Sequence, residues 1–316
     1  MSRSSVLYPA ERLVLREVGL RDGLQLVKVW PSTADKIAWL RAEYAAGVRH
    51  FELGSFLPAS RMPQFADLRE LIAASGTLPG ARSAALALNE RGGSDALATE
   101  VDEIVCVVSA TEEHSQANMR RSRADALSLV REIVAKRDAA GHKAIVNVGI
   151  SMAFGCSIAG DVSEREVLRL VEACLGNGAD AVGLADTVGY AGPRQVGDLA
   201  AMARKLAGEV PVIIHLHDTR GVGLANAAAA LDAGIRVLDA SLCGLGGCPF
   251  APGATGNIVF EDLVFLAESM GFDTGIALDR LEGPRAVLAR AMPDEPLHGQ
   301  LSRAGVPKSR WRTCAA

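Results

Sequence analysis

Eight times between about residue 13 and residue 272, a short apolar run of strand length gives way to a segment with helical periodicity. No linker or change of composition interrupts the series. Strand, helix and parallel strand in succession are the repeating unit of α/β folds, so this alternation limits the chain more than any other feature. The strands read LVLREV (13–18), HFEL (50–53), ARSAALAL (81–88), EIVCVVSA (103–110), AIVNVGISM (144–152), AVGLAD (181–186), VIIHLHD (212–218) and RVLDASL (236–242). EIVCVVSA has the continuous apolar character of a parallel strand covered on both faces. Ser32 or Thr33 caps a helix running to about Ala46, with Ile37, Leu40 and Tyr44 on one face and Gly47 as its stop. Asn89 and Ser163 cap later helices, and Pro193 opens another.

Eight such units in about 270 residues is the count of a (β/α)8 barrel. A doubly wound sheet is the competing architecture, but it uses fewer strands and would carry a glycine fingerprint in its first βα turn. That turn here reads RDGLQ. About forty-four residues follow the barrel, enough for a short helical extension and too few for another domain. The expectation is a single domain over 1–316, with the barrel at about 13–272 and the extension at about 273–316.

The chain is 49% hydrophobic and has no apolar run of eighteen residues, so no membrane-spanning helix is expected. A formal charge of -4 without a long basic cluster argues against nucleic acid as a partner and leaves acidic small molecules open. Cysteines at 106, 156, 174, 243, 248 and 314 lack the spacing of a disulfide scaffold or a zinc knuckle. Reduced thiols and an N-terminus without an apolar targeting core point to the cytoplasm.

In a barrel of this kind the chemistry belongs at the carboxyl ends of the strands. Arg21 and Asp22 follow the first strand, Glu52 ends the second, Asn147 lies in the fifth, Asp186 ends the sixth, and His215 and His217 end the seventh. Residues i and i+2 of a strand share a face, so both imidazoles can point at the barrel axis. With Asp22 and Asn257 they form a mixed oxygen and nitrogen set suited to Mg²⁺ or Mn²⁺. Asp22 and Asn257 could also serve as turn or helix caps. Arg21 could be a surface ion-pair partner or could stabilise negative charge developing on a carbonyl oxygen. After the eighth strand comes SLCGLGGCPFAPGATGN (241–257), a loop long and glycine-rich enough to be functional. Cys248 within it reads as a partly exposed, reactive thiol, whereas Cys106, Cys174 and Cys243 read as structural. GLGG lacks the spacing of a nucleotide-binding loop.

VGLRDGLQ (18–25), FELGSF (51–56), LADTVG (184–189), HLHDT (215–219) and GLGGCPFAPGATGN (244–257) resemble the 3-hydroxy-3-methylglutaryl-CoA (HMG-CoA) lyases over nearly the whole chain. The resemblance implies a divalent-metal-dependent retro-Claisen cleavage giving acetyl-CoA and a keto acid, with an acyl-CoA ester as partner and a homodimer as assembly. It implies Asp22, His215, His217 and Asn257 as metal ligands, Arg21 as the enolate-stabilising group, and Cys248 as an active loop cysteine. Asp22, His215 and Cys248 are the candidates for moving protons. Gln25, Glu52, Asn147, Asp186 and Arg220 are expected to contact substrate or to support the metal site. Four departures from the family pattern bear on the acyl-recognition wall. Leu26 and Val27 replace a polar pair, Asn147 lacks a nearby tyrosine, Gly183 replaces a serine, and Arg220 replaces a tyrosine. They raise a related ester, such as a citramalyl-CoA or a longer branched homologue, as an alternative substrate. A Claisen-type synthase, an aldolase and a non-catalytic CoA-ester-binding paralogue are the remaining alternatives.

Overall fold

The computed structural model of the chain describes residues 2–247 and 256–307. Eight parallel strands close into a barrel in sequence order: β1 (Val14–Glu17), β2 (His50–Ser55), β3 (Arg82–Leu86), β4 (Glu103–Ser109), β5 (Ile145–Ser151), β6 (Ala181–Asp186), β7 (Val212–Leu216) and β8 (Val237–Ala240). Closure is made by β1 against β8, where Val14 to Glu17 run in register with Val237 to Ala240. A closed sheet has no edge, so the barrel presents no unpaired strand for association with another chain.

Side chains alternate in and out along each strand. Outward-facing Ile104, Cys106, Val108, Val146, Val148, Val182, Leu184 and Ile214 are almost wholly buried beneath the surrounding helices. Each large aliphatic side chain removed from water in this way contributes about 1.5–3 kcal/mol, which makes the strand–helix shell the main source of stability. The inner face is layered. Val14, Ile145, Ala181, Ile213 and Val237 form its floor, and Leu7 and Tyr8 plug it from below. That plug comes from α1 (Arg3–Leu7), a helix capped by Ser2 that the strand–helix count did not include.

The outer ring comprises α2 (Thr33–Ala46), α3 (Leu68–Gly76), α4 (Glu90–Leu97), α5 (Glu112–Met119), α6 (Arg123–Ala139), α7 (Glu164–Gly176), α8 (Pro193–Ala207), α9 (Gly223–Asp232) and α10 (Phe260–Ser269). Ser32, Asn89 and Ser163 each accept a backbone N–H at the expected helix starts. Gly47 ends α2 at φ 110°. The buried face of α2 differs from the expected one: Lys36, Trp39, Leu40, Glu43 and Ala46 point inward, with Ile37 and Tyr44 half-buried on its flanks. Lys36 is tolerated there because its Nζ donates to the Gln64 carbonyl at 2.5 Å and pairs with Asp67 at 2.8 Å. The polar stretch after β4 folds as α5, which Thr111 caps through His114 N. The extension contains α11 (Glu282–Ala291) and α12 (Leu301–Ala304). Among the described residues no helix is long and apolar enough to cross a membrane.

Candidate functional site

A cavity of about 320 Å³ opens inside the barrel above the apolar floor. Arg21, Asp22, Gln25, Glu52, Asn147, His215 and His217 all line it. Two backbone devices bring them together. After β1 the segment Gly19–Gly23 is a π-type turn in which the N–H groups of Arg21, Asp22 and Gly23 converge on the Val18 carbonyl. It needs glycine at position 19, where a Cβ would lie 2.4 Å from Glu17 Oε1 and 2.7 Å from the Trp39 ring. The returning end of the glycine loop pairs with the end of β7, with His217 opposite Asn257 and Ile258 N donating to the Leu216 carbonyl. Gly246 lets this happen: at φ 129°, a Cβ there would meet Asn257 Nδ2 at 2.6 Å.

The donor atoms of Asp22, His215 and His217 lie within 4.8 Å of one another. His217 Nε2 is 3.5 Å from Asp22 Oδ2, and the two Nε2 atoms are 3.2 Å apart. Asn257 Nδ2 donates to Asp22 Oδ2 at 2.7 Å, which leaves its own Oδ1 buried without a hydrogen bond. Burial alone would raise the Asp22 pKa, but Arg21 and the two histidines outweigh it and hold the carboxyl well below the usual range. A carboxylate and two imidazoles whose donor atoms converge, with the Asn257 amide against the carboxylate and its oxygen left without a partner, form a donor set that fits a hard or borderline divalent cation.

Arg21 sits beside this cluster, its Nη1 donating to Asp22 Oδ1 at 2.5 Å and to Gln25 Oε1 at 3.2 Å. Its Nη2 lies 2.8 Å from Glu52 Oε2. Glu52 is buried, and burial pushes its pKa up against the opposing pull of Arg21. Asn147 Nδ2 donates to Glu103 at 2.7 Å, while its Oδ1 is buried without a partner. Two further expected residues are engaged by nearby backbone groups, Asp186 within electrostatic reach of His215 and His217. Asp186 folds back on its own loop and accepts from Tyr190 N and Ala191 N at 2.8 and 3.1 Å. Arg220 donates to the carbonyls of Val188 and Gly189 and stacks over Tyr190 at 4.7 Å, so it braces that loop. Cys248, the expected loop thiol, lies outside the described residues.

Asp239 is the residue that sequence reasoning passed over. Its Oδ2 lies 3.2 Å from His215 Nδ1, fixing the ring so that Nε2 faces Asp22 and His217. Burial would lower the His215 pKa, but Asp239 and Asp22 raise it above its ordinary value. Asp239 is anchored in turn by Arg16, whose Nε is 3.2 Å away and whose Nη1 pairs with Glu103 at 3.0 Å. Tyr8 closes the chain of contacts by donating to Glu103. Two-residue alternation in RVLDASL, with Val237 on the floor, would have placed Asp239 on the axis.

Residues 12–287 match the HMGL-like family. The 3-hydroxy-3-isohexenylglutaryl-CoA/hydroxymethylglutaryl-CoA lyase of Pseudomonas aeruginosa is 38% identical over 274 residues, which is 86% of this chain and 90% of that protein. The (R)-citramalyl-CoA lyase of Chloroflexus aurantiacus is 36% identical over 310 residues, 93% of this chain and 95% of the relative. An HMG-CoA lyase from Acinetobacter baumannii, solved with coenzyme A and 3-methylmalate, superposes with a TM-score of 0.86 at 37% identity, covering 96% of this chain and 99% of that one. The barrel, the converging Asp22, His215 and His217, and these likenesses agree: the chain belongs to the HMGL-like family.

Proposed function

We propose that this protein is a divalent-metal-dependent carbon–carbon lyase that cleaves an HMG-CoA-like ester by retro-Claisen chemistry to acetyl-CoA and a keto acid, which is acetoacetate for HMG-CoA itself. The observation that carries the reading is the convergence of Asp22, His215 and His217 beside a guanidinium held by Glu52. One cation, Mg²⁺ or Mn²⁺, held by those three residues with Asn257 Oδ1 beside them, would supply Lewis-acid polarisation of substrate oxygens. The chain's own groups do the rest. Arg21, pinned by Glu52 and Gln25, stabilises the negative charge that develops on the thioester oxygen as the acetyl-CoA enolate departs. Asp239 fixes His215, and Asn257 fixes Asp22. We assign proton movement to Asp22, His215 and Cys248 as a set. The four described cysteines are free and buried, which supports action in a reducing cytoplasm. A homodimer is the assembly we propose.

A second reading concerns the acyl group. Opposite the charged half of the cavity, β3 and β4 present Leu86, Val105 and Val107, while β5 and β6 present Gly149, Gly183 and Ala185. Gly149 and Gly183 are register partners, and a Cβ on Gly183 would lie 3.4 Å from Gly149 Cα. This apolar recess favours esters whose carbinol carbon bears a group larger than methyl. The test is to incubate the protein and Mg²⁺ with HMG-CoA, citramalyl-CoA and longer 3-alkyl homologues and to measure acetyl-CoA. Cleavage of none sinks the lyase reading. A larger kcat/KM for the 3-methyl thioesters, HMG-CoA and citramalyl-CoA, than for every longer 3-alkyl homologue sinks the second reading alone.

A further inference from the structure

Behind the cavity, between β1 and the helical shell, lie three carboxyls with no evident part in the chemistry. Glu17 at the end of β1, Glu43 on α2 and Glu261 on α10 are 1%, 0% and 4% exposed. Glu17 is a tie between the two segments that build the site. Its Oε1 accepts Gly19 N at 2.6 Å, at the start of the turn that carries Arg21 and Asp22. The same carboxyl accepts Leu242 N, at 2.9 Å from Oε2, at the root of the glycine loop. Glu261 secures the next residue of that root by accepting Cys243 N at 2.9 Å. Cys243 holds an unfavourable φ of 58° there. Glu43 is different: neither of its oxygens makes a hydrogen bond of ordinary geometry, and its polar neighbours are the Glu17 carboxyl and the Trp39 indole.

A wholly buried carboxylate without a partner takes up a proton, and two carboxyls in one dry site cannot both ionise. The charged groups around the pair do not relieve this. Arg285 on α11 faces Glu261 at 3.4 Å and also donates to the Leu297 and His298 carbonyls. Asp262 on α10 is occupied by Gln300 N and Leu301 N, and the Cys243 thiol, held neutral by burial, adds no cation. Glu17, with its backbone donors, is the member suited to keep the charge. We infer that Glu43 is a positioning residue: it holds a proton against Glu17, and so lets the Glu17 carboxylate clamp the Arg21–Asp22 turn to the root of the glycine loop. Burial raises the pKa of both groups. The Glu17 charge adds to the rise at Glu43, whereas at Glu17 the backbone donors and the hydrogen bond from Glu43 pull the other way, so Glu43 gives up its proton and the clamp weakens as pH rises above neutral. The coupled pair titrates as a unit.

The kinetic arm of the test rests on the proposed lyase activity, whereas the other arms do not. Glu43→Gln and Glu43→Leu both remove the ionisable group without adding charge. The infrared difference between the wild type and Glu43→Gln at neutral pH should show a protonated-carboxyl band lost from the wild type. Loss of carboxylate bands alone would overturn the inference. The Tm of the wild type should fall as pH rises from 6 to 9, with a shallower fall in both variants. Parallel curves would overturn it. The alkaline midpoint of kcat should rise by roughly one unit in Glu43→Gln. An unmoved midpoint beside an altered Tm slope would make Glu43 merely structural. If no ester is cleaved, the lyase reading falls, and Mg²⁺ affinity measured by calorimetry over the same pH range replaces kcat as the deciding readout.

Discussion

Replacing Asp239 by asparagine isolates the support behind the proposed metal site. The side chain keeps its shape, and its carbonyl oxygen can still accept from His215 Nδ1, now 3.2 Å from a carboxylate oxygen. What disappears is the charge that Arg16 faces at 3.2 Å. Arg16 is only 3% exposed but retains Glu103 at 3.0 Å, so the loss is that of one charged contact and not of a whole ion pair. A hydrogen bond to a charged group contributes about 1.5–3 kcal/mol, which in a chain of this size lowers Tm by roughly 2–6 °C. The larger effect falls on the metal. Carboxylates that hold a ligating histidine typically matter about 10–100-fold in metal affinity or activity. Calorimetric Mn²⁺ titration of wild type and Asp239→Asn, with Tm measured on the same samples, reads both effects. A Tm loss in that range with unchanged Mn²⁺ affinity would refute the argument that Asp239 acts through His215.

Arg21→Lys should lower kcat by roughly 10³-fold, because one ammonium cannot both hold Glu52 and meet a developing enolate charge. Steady-state kinetics check this, and an unchanged kcat removes Arg21 from the transition state. Gly246→Ala should weaken Mn²⁺ binding about tenfold or more by pushing on Asn257 Nδ2, 2.6 Å from the new Cβ. Unaltered affinity would mean that Asn257 is not needed by the metal. Stability should also fall toward acid. Burial lowers the His50 pKa to about 3, while an unfolded histidine takes up its proton near 6.5. The unfolded chain therefore binds more protons below 6.5, and stability drops from there toward pH 3. His50→Phe should flatten that limb of a Tm-against-pH scan.

Architecture was legible in the sequence because its signals are local and repeated. Strand-length apolar runs, Ser32, Asn89 and Ser163 as caps and Gly47 as a stop each act within a few residues. The charged ends of β1, β2 and β7 were legible for the same reason, since a charge facing into a barrel costs free energy unless it is paired or used in chemistry. What escaped notice depends on contacts distant in the chain. Lys36 and Glu43 look like the solvated side of α2 until Asp67 and Glu17 arrive from other elements. Tyr8 joins the floor by packing on residues such as Ile145 and Ile213 and by donating its hydroxyl to Glu103, ninety-five residues away. Asp186 and Arg220 stood out in sequence as polar groups at a strand end and in a loop, but the backbone amides and carbonyls that engage them did not. Short loops make such local bonds readily, and one residue's strand-end position does not reveal whether its side chain turns inward or back.

Product stoichiometry with HMG-CoA is the most direct test, because it identifies the bond that breaks. The account predicts one acetyl-CoA and one acetoacetate for each ester consumed, abolished by a chelator, restored by Mg²⁺ or Mn²⁺, and lost in Asp22→Asn. Release of free CoA without acetyl-CoA, or cleavage that persists with the metal removed, would contradict it.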